Sequence, residues 1–260
     1  MLLIDEMEAT GRWLFRWRSY LPLVTVVLLL VSLRHFAYPF GSHKWDEAWE
    51  TLCLAFSFLG LGLRVATVGY APKGTSGRNM KKQKAEQLNM TGMYSVVRNP
   101  IYLGNFLIGL GIFLFPRVWL LPVVYALLFA LYYERIVFAE EVFLRHKFGR
   151  RFEDWAAKTP AFLPRPSHWK PPASRFNFRK VCRHEHQTLY AIILVFYALE
   201  VSGDYLLNHK LFMDPAWNAV AILATVFFIT MRILRKCTPV LNDRERETTD
   251  SGPSQYGIPG

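Results

Sequence analysis

Cysteine is scarce in this 260-residue chain: only Cys53, Cys182 and Cys237. Three scattered cysteines cannot make a disulfide framework, which excludes a small stapled domain. A basic amino-terminal region is also missing. Residues 1–10 carry Asp5, Glu6 and Glu8 and no Lys or Arg, so no cleavable signal peptide is expected. The run that contains Gly104, Gly109 and Gly111 follows no predicted strand, so these glycines are not a dinucleotide fingerprint. Cys182, His184 and His186 have no second ligand pair at zinc spacing, so no metal site is expected. Acids are outnumbered, with 20 Asp and Glu against 31 Lys and Arg, a formal net charge of +11. Such a surplus needs an anionic partner, either nucleic acid or the anionic face of a membrane.

The apolar residues decide between those partners. They are 52% of the chain, with 15% aromatic, and they cluster in long runs instead of recurring at a globular period. That pattern predicts an integral membrane protein, an all-α polytopic bundle, and no nucleic-acid partner. Six spans are expected, at 21–37, 46–68, 100–115, 118–147, 189–207 and 216–233. The connections after the first, third and fifth spans carry one Lys or Arg each: Lys44, Arg117 and Lys210. The other connections and both terminal segments are basic, so the positive-inside rule places the N- and C-termini in the cytosol. Arg64, near the end of the second span, is expected to snorkel to the surface. Glu200 and Asp204 in the fifth span are expected to pair with Arg34 and His35 of the first.

Four segments follow. Residues 1–19, with Trp13, Phe15 and Trp17 among Arg12, Arg16 and Arg18, form an amphipathic interfacial segment. Residues 20–165 make a four-span core with a cytosolic face. Residues 166–236 comprise a proline-rich connector and two further spans, and 237–260 are a polar tail expected to be disordered. The fourth span is too long for a hydrocarbon core of about 30 Å, so its last turns, with Glu140 and Glu141, project into water.

The core is organised around the stretch 92–104. It sits where a basic loop meets an apolar run. Tyr94, Arg98 and Tyr102 recur every four residues, so any helical part carries them on one face. Pro100 suits the first turn of a helix. A topology anchor at the interface is the plain reading of such Arg and Tyr residues. The functional one is a two-sided site, open to water for a charged cofactor and to the bilayer for a lipid. Arg, Tyr hydroxyls and helix-start N–H groups suit a carboxylate, and a Glu suits an ammonium or ribose hydroxyls.

Two motifs carry a resemblance. The first runs through Gly92, Tyr94, Arg98, Asn99, Pro100, Tyr102 and Gly104. The second runs through Glu140, Glu141, Leu144, Phe148, Gly149, Phe152 and Trp155, followed by Pro160. Their order and spacing resemble the isoprenylcysteine carboxyl methyltransferase and phospholipid methyltransferase superfamily, over about residues 60–165. The resemblance implies a membrane methyltransferase that uses S-adenosylmethionine without a Rossmann domain. It implies that Tyr94, Asn99, Pro100, Ile101 and Tyr102 wrap the methionine part of the cofactor. Gln87, Leu88 and Asn89 would add backbone and adenosine contacts, and Glu140 would contact the cofactor. Arg98, Arg135 and Glu141 are the expected catalytic residues. Asn99 stands where the family has His, and Trp155 where it commonly has Tyr.

The expected acceptor is a membrane lipid or lipidated substrate entering from the bilayer. The basic loop 73–78 favours a lipid phosphate or phospholipid head group, and a prenylcysteine carboxylate is the alternative. A non-catalytic lipid-binding protein and a related nicotinamide-dependent reductase are the other readings. Related sterol reductases are longer, with more spans.

Overall fold

A computed structural model describes residues 2–17, 23–35, 43–72, 87–209 and 214–237. The loop 73–78, the tail 242–260, Pro22 and Lys210 lie outside them. Among the described residues the regular elements are all helical: α1 (Leu3–Trp17), α2 (Leu23–Ser32), α3 (His43–Tyr70), α4 (Met93–Val96), α5 (Pro100–Leu114), α6 (Leu120–Phe148), α7 (Arg150–Lys158), α8 (Phe178–Asn208) and α9 (Pro215–Cys237). Short 3-10 turns follow α2 at Leu33–His35 and precede α8 at Pro166–His168.

Four of these helices are long and apolar enough to cross a bilayer, at Glu47–Tyr70, Leu120–Phe148, Phe178–Leu206 and Pro215–Cys237. Helix α5 is apolar but has only 15 residues, about 22 Å of rise, less than a hydrocarbon core. Helix α6 has 29 residues, about 44 Å, so its last two or three turns extend past such a core. Glu140 and Glu141 lie on those turns. Helix α8 begins at Phe178, eleven residues before the expected fifth span. The stretch around Cys182, His184 and His186 is therefore helical, and Glu185 and His186 are buried in it, where solvation was expected.

Helices α3 and α5 form the tightest pair. A Cβ at Gly60 would sit 2.5 Å from the Gly104 carbonyl oxygen, and one at Gly104 would sit 2.8 Å from the Gly60 oxygen. Only paired glycines permit this approach, the usual way that helices associate in lipid. Ser57 Oγ donates to the Ile108 carbonyl at 3.0 Å, and Trp49 Nε1 to the Leu114 carbonyl at 3.1 Å. Between α5 and α6 the seam is aromatic. Tyr102 packs on Tyr133 (4.6 Å between ring centroids), Tyr133 on Phe129 (4.1 Å), Phe129 on Phe106 (5.1 Å), and Phe113 on Tyr125 (4.5 Å). Each such pair adds about 1 kcal/mol beyond simple burial. The seam fixes how the C-terminal end of α6 sits over the start of α5.

Helix α1 packs along the same end of α6. Gly11 lies against it so closely that a Cβ there would be 2.2 Å from the Arg135 carbonyl oxygen. Phe15 is buried with Tyr133 and Ile136, and Tyr132 donates to the Leu14 carbonyl at 3.3 Å. Trp13 and Trp17 stay exposed on the other face. The amphipathic segment is thus clamped to the helix that carries Glu140 and Glu141, with its aromatic face outward.

Charges inside the bundle settle differently from the sequence expectation. Arg64 does not snorkel. It turns inward, and its guanidinium meets both carboxylate oxygens of Glu185 on α8 at 2.8 and 2.9 Å. Glu200 is not matched with Arg34, whose side chain is exposed; the charges that act on it are Glu50, Asp204, Arg117 and Asp214. The His35 side chain lies outside the described residues.

Candidate active site

The motif stretch is broken by its own proline. Helix α4 ends at Val96, Val97 is extended (φ −149°, ψ 141°), Asn99 is non-helical, and Pro100 opens α5. The residue before a proline is driven out of the helical region, and a proline in the first turn loses no hydrogen bond. Tyr94 and Tyr102 therefore lie on different helices, and the four-residue spacing does not mark one helical face. Arg98 sits in the corner between them.

The corner is held from outside. Arg98 N–H donates to the Pro160 carbonyl at 2.8 Å, and Arg165 N–H donates to the Val96 carbonyl at 3.0 Å. Gly92 N–H donates to the Lys170 carbonyl at 3.0 Å, and Lys170 N–H returns to Ser95 Oγ at 2.9 Å. Asn99 Nδ2 donates to the Ala161 carbonyl at 3.1 Å, and Trp155 Nε1 to the Tyr94 carbonyl at 3.2 Å. The proline-rich segment after α7 is thus laced along residues 91–99. Its prolines leave carbonyls free to accept and few N–H groups to satisfy. Asn99→Ala should cut one lace. Limited proteolysis should then cleave 160–177 faster than in the parent protein, with little change in thermal unfolding.

Two side-chain pairs join this corner to the end of α6. Arg98 Nη1 lies 3.0 Å from the Glu141 carboxylate and donates to its Oε2. Tyr102 OH donates to Glu140 Oε1 at 2.9 Å. Tyr94 is half-buried close by, and burial first, then the Glu140 charge, raise its pKa well above the ordinary phenol range. It therefore remains a neutral hydroxyl at any working pH. Helix α6 reaches this geometry because Gly149, at φ 53°, ends it and turns the chain into α7.

The pairs are incomplete. Arg98 Nε is buried with no hydrogen-bond partner, and Glu141 Oε1, although 3.0 Å from Arg98 Nη1, accepts no aligned hydrogen bond. A buried donor on a cation and a buried acceptor on an anion each cost free energy while unmatched. The group comprises one guanidinium and two carboxylates. A ligand with one carboxylate and one ammonium would match the leftover atoms.

The other expected residues are placed as follows. Pro100 is buried at the start of α5 and Ile101 is half-buried beside it. Asn99 spends its amide N–H on Ala161. Asn89 Oδ1 accepts from Thr91 N–H and Oγ1, both at 3.2 Å, closing a turn before α4. Leu88 is half-buried and Gln87 is exposed. Arg135 lies five residues before Glu140, about 140° away around the helix. It donates to Thr10 Oγ1 on α1 at 3.2 Å. The structure therefore brings Tyr94, Arg98, Tyr102, Glu140 and Glu141 together and turns Arg135 toward α1. Spacing alone could not reveal Thr10, Ser95 or the 160–170 carbonyls, since each acts across a long loop. A charged Arg64 within an apolar run was the visible signal for the buried pair with Glu185.

The phospholipid methyltransferase family profile matches residues 51–151, from the middle of α3 to the start of α7. The nickel-cobalt-cadmium resistance protein NccN of Alcaligenes xylosoxydans xylosoxydans is 33% identical over 153 residues, 58% of this chain and 64% of that protein. The cobalt-zinc-cadmium resistance protein CzcN of Cupriavidus metallidurans is 35% identical over 166 residues, 63% of this chain and 71% of that protein. Protein-S-isoprenylcysteine O-methyltransferase of Schizosaccharomyces pombe is 27% identical over 119 residues, 45% of this chain and 50% of that protein. The chain thus covers just under two thirds of the first of these relatives and half of the last. No solved structure matches. The profile, the Schizosaccharomyces pombe relative and the two motifs agree, and the chain belongs to the isoprenylcysteine carboxyl methyltransferase and phospholipid methyltransferase superfamily.

Proposed function

We propose that this protein is an integral membrane methyltransferase that moves a methyl group from S-adenosylmethionine to a lipid or lipidated acceptor. The observation that carries the reading is the Arg98–Glu141 pair at the junction of α5 and α6, where Arg98 Nε is buried without a hydrogen-bond partner and Glu141 Oε1 touches Arg98 Nη1 without accepting an aligned hydrogen bond. An amino-acid end supplies what each lacks: a carboxylate for the guanidinium and an ammonium for the carboxylate. The Lys- and Arg-rich alternate connections and termini of the sequence support a cytosolic side for this junction.

Bound there, the donor supplies an activated methyl, so transfer forms a bond from acceptor to carbon, breaks carbon–sulfur, and leaves the electron pair on sulfur. The protein's part is positioning. Arg98 and Glu141 would hold the amino-acid end, and Glu140, braced by Tyr102, would add negative charge at the site. Tyr94, kept neutral, offers a hydroxyl without competing charge. Asn99 and Pro100 shape the corner, with Ile101 beside them, and Gln87, Leu88 and Asn89 would add adenosine contacts. Arg135, turned toward α1 and bonded to Thr10, is given no part in the transfer.

An anionic acceptor needs no general base at neutral pH, and no side chain is assigned as one. A lipid phosphate and a prenylcysteine carboxylate share this chemistry. Similarity to the isoprenylcysteine methyltransferase favours the carboxylate, and the loop 73–78 that favoured phosphate lies outside the described residues. Two relatives are named for metal resistance, but among the described residues no group of three or more His, Cys, Asp or Glu is placed to hold a metal.

Thermal unfolding with S-adenosylhomocysteine tests the cofactor. Ligand at about 100 times its dissociation constant should stabilise the protein by about 2.7 kcal/mol, a shift of several degrees. No shift with this ligand or S-adenosylmethionine would leave the non-catalytic reading, and a shift with a nicotinamide cofactor would favour the reductase. Labelled methyl donor with total membrane lipid, followed by mass spectrometry, separates the acceptors.

A further inference from the structure

Arg64 and Glu185 form the most buried ion pair among the described residues, with side chains 11% and 5% exposed. A buried pair of this kind gains little stability over well-packed apolar side chains, so its presence asks for another reason. Joining α3 to α8 needs only the two bonds to Glu185. Arg64 makes more: its Nη1 donates to Asn105 Oδ1 on α5. The chain also makes room for this reach, since a Cβ at Gly104 would lie 2.6 Å from Arg64 Cγ.

Asn105 passes the constraint on. With Oδ1 committed to Arg64, its Nδ2 is the end left to face Tyr133, and it donates to the Tyr133 hydroxyl at 3.5 Å. The Tyr133 ring packs against Tyr102, which donates to Glu140. A continuous line thus runs from α8 through α3, α5 and α6 to the acidic side of the candidate site. Its first member lies outside the matched region 51–151.

We propose that Glu185 and Arg64 are positioning residues of the cofactor site, acting through Asn105 and Tyr133 on Tyr102 and Glu140. This assigns α8 a part in catalysis beyond membrane anchoring, and its cofactor arm rests on the function proposed above. Glu185 fixes the guanidinium, the guanidinium fixes which way the Asn105 amide faces, and the amide holds Tyr133 behind Tyr102.

Three variants of the full chain in lipid nanodiscs test this. Three quantities are read: affinity for S-adenosylhomocysteine by calorimetry, thermal stability, and amide hydrogen exchange of residues 133–141 without ligand. Glu185→Gln should weaken binding about tenfold, and exchange at 133–141 should quicken. Asn105→Ala keeps the ion pair and should do the same with little loss of thermal stability. The double exchange Arg64→Glu with Glu185→Arg restores the α3–α8 pair but removes the donor to Asn105. It should recover thermal stability and recover neither affinity nor slow exchange.

A double exchange that restores all three would overturn the proposal and leave a simple clamp. So would Asn105→Ala with unchanged exchange at 133–141. If the parent protein binds no S-adenosylhomocysteine, the proposed function falls on that result. The exchange measurements need no ligand and still decide whether the line of contacts exists.

Discussion

Arg98→Ala is expected to abolish the thermal shift given by S-adenosylhomocysteine and to lower the unfolding temperature without ligand. Two effects combine. The ligand carboxylate loses its guanidinium, and Glu141 keeps a partly buried charge with its one cation gone. Truncating one member of a buried hydrogen-bonded charge pair costs about 2 kcal/mol or more, which is about thirtyfold in affinity. Arg98→Lys separates the two effects. Lysine restores the charge beside Glu141, so thermal stability should largely return. It has no Nε–H in a planar fork, so it cannot serve the carboxylate and the ligand in the same way, and most of the affinity should stay lost. Calorimetry and thermal unfolding on both variants check this. If Arg98→Lys binds like the parent protein, the unmatched Nε is not a ligand contact.

How much of this could be read from the sequence differs with distance along the chain. The helical architecture was legible, since long apolar runs have few alternatives in a bilayer. The approach of Arg98 and Tyr102 to Glu140 and Glu141 was also inferable: positive-inside loops put both segments on one side, and the two motifs keep fixed spacing. The corner at residues 97–99 was signalled by Pro100, yet a four-residue recurrence suggested one helical face. Proline chemistry outweighs periodicity there. What lay hidden were contacts between distant segments. Nothing in the spacing pairs Arg64 with Glu185, 121 residues away, and a basic neighbourhood around Glu185 suggested solvent. The carbonyls of 160–170 carry no side-chain signature at all, so a tether along the motif reads as a linker. Arg135 fell near the expected position by count but five residues from Glu140, which on a helix means another face.

The strongest effect away from the charges is expected at Gly60. In Gly60→Val the new Cβ would stand 2.5 Å from the Gly104 carbonyl oxygen and 2.8 Å from the Ile108 nitrogen. Both are backbone atoms of α5, so neither can swing aside as a flexible side-chain end would. Helices α3 and α5 must separate or slide. Either movement strains the Ser57 bond to Ile108 and the Trp49 bond to Leu114, and overpacking of this kind costs about 3 kcal/mol. Gly62→Val is the matched control, because nothing lies within 4 Å of a Cβ there. Thermal unfolding in detergent should show a large loss for the first and almost none for the second. Sliding α5 also moves Arg98 and Tyr102 relative to Glu140 and Glu141, so the folded fraction of Gly60→Val should bind S-adenosylhomocysteine more weakly. Equal unfolding temperatures for the two variants would mean that α3 and α5 do not meet at these glycines. The start of α5 would then have no fixed place from which to present Arg98 to the end of α6.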